Sequence, residues 1–512
     1  MNGKSFELLL DLTGFIGRNK IKQLSFPLSK GDKSLRGRLY DGLTRGTIKS
    51  PEDIARKLFP AAKDKAASVN RLQSRLWEAL LDVVFLIDAN KSGFNELQKA
   101  YYQCSRDLLA TKILIGRFQR TAGALVAEKA IKVAIRFEIS NIVFELASDL
   151  RFYYGIVMGN SKKWKNYDTV LCDWSDKRQL EILVEGYYIE IMVNFIYSKS
   201  TKKEFSRKVE IFLNSIETEM QYKWTVRVFF YYYYLKTLRF EIENDFQQLQ
   251  TISEEALRFF ESRKKLSTGP IFYTFHKSLL IATTRLRKFP IAESAAVNCK
   301  KYATPGTLNW YNSQYLTLIL FLQSERFEEA WATWKKTAAS AGFDKLPTAN
   351  KESWQIAEAM VQFLMKSDKI QALSEEDRRK KFRITKFLNE VPAFSKDKRG
   401  NNINILVLHI LFLVQGKRYN EIHDRVESLR VYASRYLRKD DMFRSNCFIR
   451  MLMCLPAGYF HKEAVLRKAR PFWEKLQTVP YVKADQPIEV EIVPYETLWG
   501  ITLELLDRNN NA

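Results

Sequence analysis

Apolar residues recur at i, i+3, i+4 and i+7 along almost the whole chain. Phe327, Ala330, Trp331 and Trp334 form one such face, and this 3.6-residue period reads as amphipathic helix. Alternation with a period of two is rare. Ile488, Val490 and Ile492 give the clearest case, read as one extended segment leading into a last helix over residues 495–506. The pattern predicts an all-α chain.

A second, longer period lies over the first. A basic or polar residue, an aromatic and then an amphipathic helix start recur with anchors at Phe137, Phe205, Phe246, Phe289, Phe327, Tyr419 and Phe460. Phe205, Phe246, Phe289 and Phe327 are 41, 43 and 38 residues apart, and Tyr419 and Phe460 are 41 apart. The gap of 92 between Phe327 and Tyr419 holds two units, one degenerate, with helices expected over 351–366 and 374–389. The gap of 68 after Phe137 carries an excess that matches a polar insert at 159–168, read as an exposed loop. Apolar helices expected over 313–322, 404–414 and 444–455 precede three of the anchors, so a unit reads helix, short turn, helix. Such a unit buries its apolar face only by stacking on its neighbours, with the anchor aromatic wedged between paired helices.

The motif Phe327-Glu-Glu-Ala330 after a short turn, behind a helix rich in Leu and Tyr, resembles the tetratricopeptide-repeat family over residues 106–512. The resemblance implies an α-solenoid of about eight units, each a pair of antiparallel helices, whose concave face binds a protein or peptide. The spacing near 41 departs from that family's 34 and is shared by HEAT-like arrays, and the family's unit-ending proline is missing.

Residues 1–105 read as a separate, basic helical region. Ser50, Pro51, Glu52 and Asp53 are a strong helix start, giving a helix over 51–59. A second helix is expected from about Ser68, through Arg71, Arg75 and Trp77. This pair resembles the reading helices of winged helix-turn-helix domains. That resemblance implies Lys65, Arg71 and Arg75 in a DNA major groove, with Arg36, Arg38, Arg45 and Lys49 on phosphates. A plain helical cap for the repeats fits the same residues, and no wing hairpin is visible after Leu86.

Charge widens the choice of partners. Lys and Arg number 82 against 58 Asp and Glu, for a net +24, a field that attracts polyanions without specifying a fold. The aromatic run Phe229–Tyr234, with Arg227, Lys236 and Arg239 beside it, is a stacking platform for single strands only if its rings share one face. Six consecutive helical residues point in all directions. Basic stretches at 161–165 and 378–381 read as solvated faces that could also touch phosphate or an anionic surface.

Other chemistries are poorly supplied. The five cysteines are scattered and odd in number, which fits a reducing, cytoplasmic setting rather than a disulfide framework. Cys447 and Cys454 sit seven apart on one helix, as buried small residues do. The four histidines are isolated, and no phosphate loop, dinucleotide fingerprint or nucleophile elbow is present. Asp168, Asp173 and Asp176 suit helix capping better than a cation. Glu7 and Asp11 break the N-terminal apolar stretch, unlike a secretory signal, and no apolar run is long enough to span a bilayer. The expectation is a non-enzymatic, cofactor-free scaffold or adaptor for a protein or peptide partner. A nucleic-acid-binding regulator is the alternative.

Overall fold

The computed structural model describes residues 33–84, 94–197, 202–219, 221–371, 401–436, 442–483 and 490–510, with Phe6, Glu7, Leu9, Leu10 and Thr13. Among them all regular structure is helical and no strand occurs. The chain divides into two compact units, Met1–Gln103 and Cys104–Ala512.

In the first unit, α1 (Leu35–Thr44), α2 (Pro51–Leu58) and α3 (Lys65–Val84) pack on one another. Ser34 and Ser50 cap the first two helices, accepting from the backbone N–H groups of Gly37 and Asp53, which satisfies donors that a helix start leaves unpaired. Leu39, Ile54, Leu76 and Leu80 are the centre of the core. A Cβ on Gly42 would stand 2.5 Å from Ile48 Cδ1, so glycine lets Ile48 close over α1. α3 begins at Lys65, three residues before the expected start. The segment where a wing was sought, 85–93, lies outside the described residues.

α4 (Glu96–Gly116) begins in the first unit and ends in the second. There follow α5 (Arg120–Arg136), α6 (Ser140–Phe152), α7 (Ser161–Tyr197), α8 (Lys202–Glu217), α9 (Val226–Glu243), α10 (Phe246–Ser262), α11 (Gly269–Arg285), α12 (Phe289–Tyr302), α13 (Leu308–Gln323) and α14 (Phe327–Ala338). The last six are α15 (Thr348–Lys366), α16 (Asn401–Gln415), α17 (Tyr419–Tyr436), α18 (Phe443–Ala457), α19 (Lys462–Thr478) and α20 (Tyr495–Asn510). From α5 onward each helix packs on the next, and α7, α9, α11 and α13 also touch in succession.

One turn joins many of these helices. Its centre is a non-glycine residue with left-handed backbone: Phe118, Glu138, Asn244, Arg287, Glu325, Asp368, Lys417 or Tyr459. At every one the same two hydrogen bonds form. The central residue's N–H reaches back three residues and the next N–H reaches back five, as in Glu325 N–H to Leu322 O at 3.3 Å and Arg326 N–H to Phe321 O at 2.9 Å. This is the Schellman arrangement, which satisfies carbonyls that a helix end leaves unpaired.

The turn fixes the register of the anchors. Phe246, Phe289, Phe327 and Tyr419 stand two residues after the left-handed centre, at the first position of α10, α12, α14 and α17. Ile370 takes the same place two residues after Asp368 and is buried. Two expectations are corrected. Phe137 precedes the centre Glu138 and is the C-cap of α5, so Ser140 holds the anchor position. Phe460 is itself left-handed and comes one residue early, because α19 starts only at Lys462. It is nonetheless buried, stacked at 4.1 Å on Tyr419. Phe205 is buried within the first turn of α8.

The polar insert is likewise corrected. Residues 161–168 are the start of α7, 37 residues long, reached through a π-helical turn at Tyr153–Val157. The described part of the extended segment, residues 490–494, is a buried, irregular lead into α20. Residues 372–400, which include the helix expected over 374–389 and the basic tract at 378–381, lie outside the described residues.

A left-handed side chain costs roughly 1 kcal/mol that glycine avoids. Lys417→Gly is therefore expected to stabilise the chain by about 0.5–1 kcal/mol, read as a higher urea midpoint. An unchanged or lower midpoint would sink this account of the turn.

Candidate functional site

Two places merit description as sites, one in each unit. In the first, the buried face of α3 is Val69, Leu72, Leu76, Leu80 and Val83. The opposite face presents Arg71, Arg75, Glu78 and Asp82 in a line, basic toward the helix start and acidic toward its end. Arg38, Arg45, Lys49, Lys65, Arg71 and Arg75 are exposed, and Arg36 is half-buried. Arg45 faces Asp41 at 3.9 Å. Among the described residues, Arg38, Lys65, Arg71 and Arg75 face no carboxylate closely enough to pair. The seven residues thus lie on one small helical unit, spread over α1, the α1–α2 turn and α3.

The second place is a cleft of about 610 Å³ in the other unit, lined by Glu325, Phe327, Lys369, Glu496, Thr497, Gly500, Ile501 and Glu504. Two consecutive Schellman turns supply one wall: Glu325 is the left-handed centre of the first, Phe327 its anchor, and Lys369 follows the centre of the second. α20 supplies the other. Thr497 Oγ1 donates to Glu325 Oε1 at 2.8 Å, and Lys369 Nζ reaches both carboxylate oxygens of Glu504 at 3.0 and 2.8 Å. These bridges hold α20 against the turns. A Cβ on Gly500 would meet nothing within 4 Å, so the cleft opens over the glycine.

Beneath the cleft, Arg444 of α18 is fully buried. Its guanidinium donates to Glu491 at 2.7 and 3.0 Å, to Glu496 at 2.7 and 2.9 Å, and to the Val479 carbonyl at 2.8 Å. The two carboxylates hold its pKa well above the ordinary guanidinium range. Gln323 donates to the Glu491 carbonyl, and Tyr495 N–H to the Glu491 carboxylate at 2.9 Å. Ser445 and Tyr495 share a hydrogen bond of 2.9 Å between their hydroxyls. This network fixes residues 490–496 in the core and presents Glu496 to the cleft.

The other motifs resolve into packing. Tyr231, Tyr232 and Tyr233 donate to Glu185, Glu217 and Glu255, on α7, α8 and α10, and Phe229 packs on Trp224 and Phe259. The run faces three helices at once and is no platform. Asp168, Asp173 and Asp176 pair with Arg151, Lys177 and Lys223. Cys447 and Cys454 are buried, and burial pushes both thiols up. Among the described residues no group of three potential ligands is placed to hold a metal, and no helix is long and apolar enough to cross a membrane.

The cleft escapes sequence reasoning because its walls come from residues 325–327, 369 and 496–504. Glu325 and Lys369 carry one weak signal, as members of recurrent turns. No protein-family model matches the chain, and no curated protein or solved structure is detectably similar to it.

Proposed function

We propose that the chain is a non-enzymatic scaffold, built as a tetratricopeptide-like α-solenoid of paired antiparallel helices, that holds a segment of a protein partner in this cleft. The observation that carries the reading is the cleft itself, open over Gly500 and walled by two successive turns of the same kind. Short turns with one backbone geometry return the chain by the same angle each time, and stacked hairpins of this sort form extended binding surfaces. Phe327 and Ile501 offer apolar contact, and Glu325, Glu496 and Thr497 offer acceptors to a backbone or a basic side chain. The ionisable groups of the lining are engaged with one another or with Arg444: Lys369 bridges Glu504, Thr497 bonds Glu325, and Glu496 accepts from Arg444.

Gly500→Trp tests this, since the new side chain starts in open space and fills the cleft. Affinity capture with the full chain is expected to retain a stoichiometric protein that the variant retains at least tenfold less well. Equal retention by both chains overturns the reading, as does retention of nothing by the wild type. Gly500→Ala serves as the control and should stabilise α20 by roughly 0.5–1 kcal/mol through helix propensity.

A second reading rests on the unpaired cations of α1 and α3: a nucleic-acid-binding regulator in which Arg71 and Arg75 meet the duplex. Affinity for duplex DNA should then fall steeply with salt, and Arg71→Ala with Arg75→Ala should lower the slope of log K against log salt by about 2. No salt-sensitive affinity means this reading fails.

A further inference from the structure

Six exposed large apolar side chains gather at two neighbouring turns of α4–α7, remote in sequence from the cleft. Phe118, in the turn between α4 and α5, is 81% exposed. On the connection from α6 to α7, Phe152, Ile156 and Met158 are 61%, 74% and 56% exposed, with Val157 and Trp164 beside them. The two turns are neighbours. Tyr153 Oη donates to Thr121 Oγ1 at 3.2 Å, and Thr121 is three residues from Phe118.

The tip is built, not frayed. The π-helical turn at Tyr153–Val157 forces out Ile156 and Val157, and the Asn160 N–H closes onto the Tyr154 carbonyl at 2.8 Å. Trp164 lies against Gly155, where a Cβ would be 2.7 Å from its ring. Underneath, Glu128 accepts from Tyr154 at 2.8 Å, Lys163 at 3.0 Å and Tyr167 at 3.2 Å, and the two tyrosine rings stack. Phe118 is the left-handed centre of its Schellman turn, with φ of 62°, and the turn holds its side chain out from the helix ends. π-turns recur at functional sites.

Charge says what covers the tip. Arg117, Arg120, Lys162 and Lys165 flank it, all exposed, and none has a carboxylate partner among the described residues. The Arg120 guanidinium lies 5.9 Å from the Phe118 ring. Apolar side chains that project from convex turns, a tryptophan at their edge and a collar of unpaired cations match a lipid interface. The acyl boundary receives the apolar groups and anionic headgroups receive the cations. A convex tip gives a rigid globular partner little to enclose, whereas a bilayer deforms around it.

We propose that the Phe118 and Ile156 turns form a membrane-docking tip that inserts shallowly into an anionic lipid surface. The test is sedimentation of the full chain with vesicles of pure phosphatidylcholine and with vesicles carrying roughly one-third phosphatidylserine. Net charge alone gives the second kind some binding, so the decisive variant keeps every charge: Phe118→Asn, Ile156→Ser and Met158→Ser together. Asparagine accepts the left-handed backbone more readily than phenylalanine, so this variant should melt no lower than the wild type. Strong binding to the anionic vesicles, reduced at least tenfold in the triple variant, is the expected result. Lys162→Glu with Lys165→Glu should reduce it further. Wild-type affinity in the triple variant overturns the proposal, as does absence of binding to the anionic vesicles. If the triple variant instead weakens only capture of a protein or a nucleic acid, the tip docks that partner and the proposal also falls.

Discussion

Replacing Arg444 with leucine is expected to cost the C-terminal helices about 3–5 kcal/mol. The guanidinium satisfies Glu491, Glu496 and the Val479 carbonyl in a site where Arg444 and Glu491 have no contact with water. Removing it leaves the Glu491 carboxylate buried without the guanidinium that neutralises it. A truncated buried pair is far worse than no pair, because the surviving charge keeps its desolvation penalty. Arg444→Leu with Glu491→Leu should therefore recover much of the loss. Urea unfolding with hydrogen exchange over α18–α20 reads both variants. A single-variant loss below about 1 kcal/mol, or a double variant no better than the single one, would show that the pair does not hold residues 490–496 in place. Because Arg444 holds Glu496 in place, the single variant should also lose the partner capture proposed for the cleft.

Mild acid should destabilise the second unit through two histidines. His276 on α11 and His409 on α16 are half-buried, and each pKa is pushed down to about 4. Burial is the main cause in both. Lys301 adds to it at His276 against an opposing Glu261, and Arg425 and Arg418 add to it at His409 against an opposing Glu421. Both rings stay neutral in the folded chain and take up protons near pH 6.5 once it unfolds. Between those values the unfolded chain binds more protons, so stability rises with pH. It is fully present above pH 6.5 and is lost progressively as the pH falls toward 4. Allowing for screening at half-buried sites, each histidine contributes about 1–2 kcal/mol to that loss. His276→Phe preserves the stacking on Tyr302, whose ring is 6.0 Å away, and His409→Leu suits an apolar helix. The thermal midpoint of the double variant should fall less than that of the wild type between pH 6.5 and 4.5. Parallel curves would remove the histidines from the account.

The helical class was legible because amphipathic periodicity is a local signal, repeated in nearly every segment. The anchors were partly legible. Phe246, Phe289, Phe327 and Tyr419 announce themselves as aromatics, but the position they occupy is set by the left-handed residue two places before. Here that residue is glycine in none of the eight turns, and only Asn244 and Asp368 are of a type that favours the left-handed backbone, so the sequence marks few of them. Phe137 and Phe460 were consequently placed out of register, and Ile370 went unseen because it is not aromatic. The start of α7 was hidden by composition: polar residues at 159–168 look like a loop, and only hydrogen bonds within the π-turn carry the chain directly into a helix. The cleft was illegible for a different reason. Glu325 and Thr497 are 172 residues apart, and nothing short of folding says that they meet.

That separation has a consequence for how the molecule is made. Gln323 and its partner Glu491 are 168 residues apart, and chains grow at about 5–20 residues per second. On a ribosome, the turn carrying Glu325 and Phe327 therefore waits on the order of ten seconds or more before α20 exists to cover it. By the end of that interval the helices on either side have emerged while one wall of the cleft is missing. The cleft is completed late in synthesis, so a chain that stops before residue 490 carries the turns without it.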